Sequence, residues 1–497
     1  GKIGNNVRIN SSNTSWDQTP NTGSHNDWTI SNDGRDLNVS VSAGYYARAY
    51  LYLDPNEKYL LSFDYISGPA NLGVVSDTSG YLKATDGSLS PNGLSAGNSY
   101  TFEISNSNSV NFTGFNSQTY DINNIYLTRI VPGYQDSNGK GEFRYEPPAG
   151  FLALCEDNLP APAIADPGEH FKTVIYEGTA TSKSIKKVGF QPDLVWVKKR
   201  STLGDHKLVD SVRGTGFVLE SNTTDVEGNE TINFTGFNSD GFDLGNNGAG
   251  AWNENSHDYV AWCWKAGGAA VSNTDGSITT QVSANQTAGF SIVSYTGNNT
   301  AGATIGHGLG ETPGFIIVKR RDSGSQWNVW TKSLTNNQAL YLNLTNSVQS
   351  STTFWNDTTP TSSVITLGTD RNVSNGTYIA YCWTEIEGFS KFGSYVGNGS
   401  TDGTFVYCGF KPAFVMIKRT DSTGNWVILD SSRNSTNSAK GYLLANSSGI
   451  EQAGSDILDF LSNGFKIRNA WTDINGSGNT IIFAAFAESP FQTANAK

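Results

Sequence analysis

Two short quartets carry the groups most able to do chemistry, Asp210-Ser-Val-Arg213 and Asp430-Ser-Ser-Arg433. A carboxylate three residues ahead of a guanidinium can leave the arginine free to hold an anion, or it can lock both into a fixed ion pair. The second reading suits a turn tied to the basic end of a neighbouring strand, so Asp210, Arg213, Asp430 and Arg433 are taken as structural pairs. His206 lies close to Asp205 and Asp210, an arrangement that could move protons. In an internal alignment it falls where Trp327 and Trp426 stand, which points to packing instead. His25, His170, His257 and His307 lack metal-ligand spacing. The cysteines Cys155, Cys263, Cys382 and Cys408 match neither a zinc motif nor a dense disulfide framework. No G-x-S-x-G elbow, P-loop or H-E-x-x-H occurs. No carboxylate pair for glycoside hydrolysis stands out, and its separation of ~5–9 Å is not visible in a sequence. No catalytic residue is assigned, and a non-enzymatic protein is expected.

Binding chemistry is better represented. In Tyr45–Leu53, read as a strand, alternation puts Tyr46, Arg48, Tyr50 and Tyr52 on one face and Tyr45, Ala47, Ala49, Leu51 and Leu53 on the other. A tyrosine face with a guanidinium can stack sugar rings, serve a protein interface, or form a plain cross-strand ladder. Acidic turns at Asp77, Asp86, Asp240 and Asp402 offer oxygen atoms suited to Ca2+. None has EF-hand spacing, and Asp-Gly is also a hairpin signal. The turn reading is preferred at each, so no cofactor and no metal site is expected, with Ca2+ left open but unassigned to any residue.

The elements that must position these groups read as strands. Short alternating or apolar runs are bounded by Gly, Asn, Asp and Ser, and no long stretch shows a helical period. The expected fold is all-β, built from tandem β-sandwich, jelly-roll-like domains. Residues 1–131 form a first sandwich, with strands at 47–53, 58–66 and 123–131. Six of the 15 prolines fall in 132–170, which reads as a semi-extended connector.

A repeat follows. GFQPDLVWVKKR (189–200), GLGETPGFIIVKRR (308–321) and GFKPAFVMIKRT (409–420) share a turn, a proline, an apolar strand and basic residues. Aligned on Pro192, Pro313 and Pro412, His206, Trp327 and Trp426 lie fourteen residues on, and Asp210, Thr331 and Asp430 eighteen. Each unit closes with an apolar strand: YVAWCW (259–264), YIAYCW (378–383) and IIFAAF (481–486). Cys263, Cys382 and Ala485 are equivalent, which suits a small buried side chain. The units span 171–268, 290–388 and 389–497, with a linker at 269–289. The heptapeptide NFTGFNS at 111–117 recurs at 233–239, and it reads as strand-and-turn grammar because units two and three lack it.

Charged residues make up 16% of the chain and the net charge is −12, a poor match to phosphate-backbone or anionic-membrane binding. No apolar segment approaches the ~18 residues that span a bilayer. No secretory leader is read at the start, and the chain is read as processed or as part of a longer product.

PPAGFLALCEDNLP (147–160), FKTVIYEGT (171–179), SDGFDLG (239–245), YVAWCWKAGG (259–268) and FAAFAESPF (483–491) together resemble a β-rich domain of unknown function. That domain occurs in tail-fibre-like and other virion structural proteins of tailed bacteriophages, marine and cyanophage types included. The second unit departs from the pattern by lacking Asp-Ser-x-Arg. Residues 1–131 resemble, more weakly, carbohydrate-binding-module jelly rolls through Trp16, Trp28 and the strands named above. The resemblance implies an exterior fibre, spike or appendage of the virion that contributes to host attachment. Its partners would be other virion proteins and a host cell-surface glycan, with no nucleic acid and no membrane insertion. It implies a homo-oligomer, a trimer favoured. The alternatives are a secreted or virion-borne polysaccharide depolymerase with a binding module, and a capsid or tail decoration protein without ligand.

Overall fold

The computed structural model describes residues 27–31, 36–40, 46–52, 58–68, 72–76, 80–85, 94–105, 109–115, 119–130, 134–141, 143, 145–159, 161–246 and 252–491. The chain divides into two compact units, one up to Asn158 and one from Leu159. Antiparallel sheets dominate both, as the alternating runs require, and among the described residues helices are limited to single turns such as Thr352–Trp355 and Thr472–Asn475.

In the first unit a five-stranded sheet runs in the order Asp27–Ser31, Asp36–Ser40, Thr119–Ile130, Lys58–Ser67, Asn98–Ser105. A second sheet runs Tyr46–Tyr52, Ser109–Phe115, Gly73–Ser76, Gly80–Tyr81. Lys58–Ser67 alternates in burial, with Tyr59, Leu61, Phe63 and Tyr65 inward. Phe63 stacks on Phe102 of its own sheet at 5.8 Å and meets Phe112 of the other sheet edge-on at 5.1 Å. That ring trio joins the two sheets into a sandwich. Part of the expected connector also belongs to this unit. The Asp136 carboxylate accepts the backbone N–H groups of Asn138, Lys140 and Ala153 and the side-chain amide of Asn158, which gathers these described residues around one carboxylate instead of leaving them in an extended tether.

The second unit contains the three repeats. In the first, Phe171–Glu177, Asp258–Trp264, Leu194–Lys199 and Lys207–Asp210 form a sheet, faced by Lys183–Ile185, Gly241–Leu244 and Phe234–Asn238. In the third, Ser390–Val396, Thr480–Pro490, Phe410–Arg419, Trp426–Asp430 and Leu443–Leu444 are faced by Phe405–Tyr407, Gly464–Ile467 and Leu458–Leu461. The second repeat has an eight-stranded sheet faced by Thr304–Gly306 and Val364–Thr366.

Two expectations change here. The 269–289 segment is no linker: Val271–Asn273 and Thr280–Asn285 pair with each other, and the latter extends the second repeat's sheet beside Phe290–Thr296. Its small polar residues hide the alternation of Ile278, Thr280 and Val282, all buried. Nor are the repeats separate beads. The closing strands are buried on both faces. In the first repeat Tyr259, Ala261 and Cys263 fill its own sandwich, while Val260, Trp262 and Trp264 join a core shared by all three repeats. The second repeat divides in the same way, with Tyr378, Ala380 and Cys382 on one side and Ile379, Tyr381 and Trp383 on the other. A near-continuous apolar run is the sequence form of a strand buried on both faces.

Candidate functional site

The groups singled out by their chemistry converge on the seams between repeats. Each seam is built from the strand after the proline and its hairpin partner. The register is common to all three, with Leu194 opposite Asp210, Phe315 opposite Thr331 and Phe414 opposite Asp430. The hairpin therefore delivers Asp210, Thr331 and Asp430 to equivalent places at the end of a buried strand.

Asp210 accepts the backbone N–H of Arg213 at 2.8 Å and its Nε at 2.5 Å. The Tyr381 hydroxyl of the second repeat donates to the same carboxylate at 2.8 Å. Asp430 holds Arg433 in the same way, at 2.8 and 2.6 Å, and receives Trp262 Nε1 of the first repeat at 3.0 Å. All four Asp and Arg side chains are fully buried. At the third seam the donor position is Ala484, which can offer nothing, and the acceptor position is Thr331, whose buried hydroxyl has no partner. The missing Asp-Ser-x-Arg of the second repeat thus has a physical reason: its neighbour presents no hydrogen-bond donor.

A second layer repeats the logic. Arg213 also reaches Glu227 at 3.1 Å, and Arg433 reaches Glu451 at 2.7 Å. Across the seam Glu227 takes Arg321 of the second repeat through two bonds of 2.8 Å, and Glu451 takes Arg200 of the first. The third seam has Val348 and Thr420 in these places. Its backbone bond survives, Val348 N–H to Thr420 carbonyl at 2.9 Å, matching Glu227 to Arg321 and Glu451 to Arg200. Two seams carry the whole Asp–Arg–Glu set and the third carries none of it, so no seam holds one member of these ion pairs without its partner.

Two further positions close the ring. Trp327 Nε1 donates to the Glu220 carbonyl and Trp426 Nε1 to the Tyr341 carbonyl, both at 2.9 Å. His206 does the same job with Nε2 on the Leu444 carbonyl at 3.0 Å, because its Nδ1 accepts the Trp196 indole N–H at 2.8 Å. Burial pushes its pKa well below the usual value, so the ring is neutral and both nitrogens are engaged. Lys198, Lys319 and Lys418 lie six residues after the aligned prolines and are buried, not placed where the strand leaves the core. They donate to the carbonyls of Ser448, Thr224 and Thr345 in the neighbouring repeat at 3.3, 3.2 and 3.1 Å. Burial lowers each ammonium pKa to about 8. Every set runs the same way around, first repeat to third, third to second, second to first, which is a pseudo-threefold axis within one chain. Between the repeats Trp196, Trp264, Trp383, Phe414, Met416 and Phe486 leave a space of only about 10 Å³, so side chains fill the centre.

Other nominated residues lie elsewhere. The strand Tyr46–Tyr52 pairs with Ser109–Phe115, but the side chains of Tyr46, Arg48, Tyr50 and Tyr52 are outside the described residues. Asp77 and Asp86 are also outside them. The Asp240 carboxylate accepts the backbone N–H groups of Lys187 and Gly189, and Asp402 pairs with Lys466 at 2.6 Å. Among the described residues no group of three or more His, Cys, Asp or Glu could hold a metal ion. Cys263 and Cys382 are buried, and burial raises both thiol pKa values, Cys382 to about 12. The sequence reading missed Glu227, Glu451, Arg200, Arg321 and the three lysines. The proline alignment, carried through to the residues six and eight positions on, holds the signal for Lys198, Lys319, Lys418 and both arginines.

The family model described as "Domain of unknown function (DUF7483)" matches residues 166–490. One match spans all three repeats, so the unit of this family is the whole ring. No curated protein matches the chain.

Proposed function

The chain belongs to the DUF7483 family, and on that premise we propose that it is a virion structural protein of a tailed bacteriophage. It would act as an exterior fibre, spike or appendage component that contributes to host-surface attachment, alongside other virion proteins. The observation that carries this reading is the seam network: Asp210, Arg213, His206 and Lys198, the groups best equipped for chemistry, are buried and engaged in joining repeats. The resemblance of its motifs to those of phage tail-fibre-like proteins supplies the setting. Threefold symmetry is the usual currency of such appendages, and here the contacts are made inside one chain. A homotrimer of chains would have to form through other surfaces. The test is gold-conjugated antibody against the chain on purified particles. Label on the outside of intact particles is the expected result; particles that contain the chain by mass spectrometry yet bind antibody only after disruption would contradict it.

A further inference from the structure

The three repeats have the same framework, so a face that differs in only one of them stands out. In each repeat a short strand edges the facing sheet, and Ile185, Ile305 or Val406 at the equivalent place in it is buried. The flanking residues point outward. They are Ser184 and Lys186 in the first repeat and Thr304 and Gly306 in the second, where the Asn273 side chain occupies the space beside Gly306. In the third repeat they are Phe405 and Tyr407, exposed at 44% and 60%. Two large, substantially exposed rings on one edge strand lie outside the repeat's buried core.

The strands beside them supply polar groups on the same face. Phe405 is opposite Lys466, and Lys466 is opposite Asp459, so the three side chains form a row across the sheet. With strands ~4.8 Å apart, the row is about 10 Å long. Asp459 forms one wall of a polar cleft of about 500 Å³ that is lined by Thr401, Asn437, Ser438, Asp456 and Arg468. The cleft is firmly built. Arg468 Nε donates to Asp459 at 2.5 Å, Lys466 meets Asp402 at 2.6 Å, and the Asn437 amide bonds both backbone groups of Phe460.

We propose that this face of the third repeat binds an oligosaccharide. The aromatic pair would pack against the C–H faces of sugar rings. Asp456, Asp459 and Arg468 would exchange hydrogen bonds with the hydroxyls of a unit seated in the cleft, whose volume suits a small ligand. A protein partner would more naturally meet a broad apolar patch, and here the rings adjoin a cleft of charged and amide groups. The inference rests on the host-attachment reading and gives that reading a site and a ligand class.

The test passes the full-length chain over immobilised di- to hexasaccharides of neutral hexoses, amino sugars and uronic acids. The expected result is retention on at least one, weakened about tenfold or more by Phe405→Ala or Tyr407→Ala, as loss of one stacking ring implies. Lys186→Ala, at the equivalent place in the first repeat, should bind like the parent. Unchanged melting temperature in all three variants separates lost binding from lost fold. Failure to bind any saccharide, equal binding by the aromatic variants, or capture of a particle protein through this face would overturn the proposal. Antibody-labelled particles without saccharide binding would sink the ligand alone, and saccharide binding with unlabelled particles would sink the virion reading alone.

Discussion

Thr331 and Asp430 occupy one place in the repeat and have opposite situations. Asp430 pairs with a fully buried arginine, so Asp430→Ala should cost about 3 kcal/mol or more by leaving Arg433 Nε and the Trp262 indole N–H without an acceptor and the guanidinium with Glu451 alone. Thr331 offers a hydroxyl to nothing, so Thr331→Ala should change stability by about 1 kcal/mol or less. Urea unfolding of the two variants checks the contrast. The buried lysines make a pH prediction with a definite sign. Lys198, Lys319 and Lys418 titrate at about 8 when folded, below the ordinary 10.5. Between those values the unfolded chain holds more protons, so these groups add stability as pH rises from 8 towards 10.5 and withdraw it as pH falls through 8. Lys319→Met should flatten part of that rise in the urea midpoint. The pairing of Asp with Arg was legible from a spacing of three residues. Its partners were not: Tyr381 lies 171 residues from Asp210 and Glu451 lies 251 from Arg200.

The strands and hairpins of the repeat were more legible than the contacts between repeats. Proline beside an apolar run marked Leu194–Lys199, Phe315–Arg320 and Phe410–Arg419: Pro192 and Pro313 precede their strands, whereas Pro412 sits inside its strand at a bulge, the other place where a residue without N–H costs no ladder bond. The Asp240-Gly241 turn also stood out, although Gly241 and its counterpart Gly464 close their hairpins instead of sitting at the tips. Both glycines have positive φ, 150° and 159°, and an added Cβ would lie 2.0 Å from the carbonyl oxygen of Ile185 or Val406. Gly464→Ala should therefore destabilise the third repeat by roughly 1–3 kcal/mol from backbone strain alone, with the clash adding to it. Faster cleavage by a nonspecific protease reports the effect. The hairpin at 271–285 was not legible because Thr280 and Ser283 face inward while Val271 is exposed, which blurs the period of two.

For the whole molecule, the decisive signal was present but ambiguous. YVAWCW, YIAYCW and IIFAAF are apolar at every position, and a sheet with one wet face would show alternation. The second apolar face requires a neighbour, and each repeat finds it in the other two. The identity of that neighbour depends on contacts too distant to read from spacing. With the core shared, the repeats should not unfold as independent tandem domains. Hydrogen exchange along a urea series, followed in Asp258–Trp264, Thr377–Trp383 and Thr480–Pro490, tests this most directly. Loss of protection in all three strands at one urea concentration, shifted together by Asp430→Ala, is the predicted result. Three separate midpoints, with only the third repeat responding to that substitution, would contradict the closed ring.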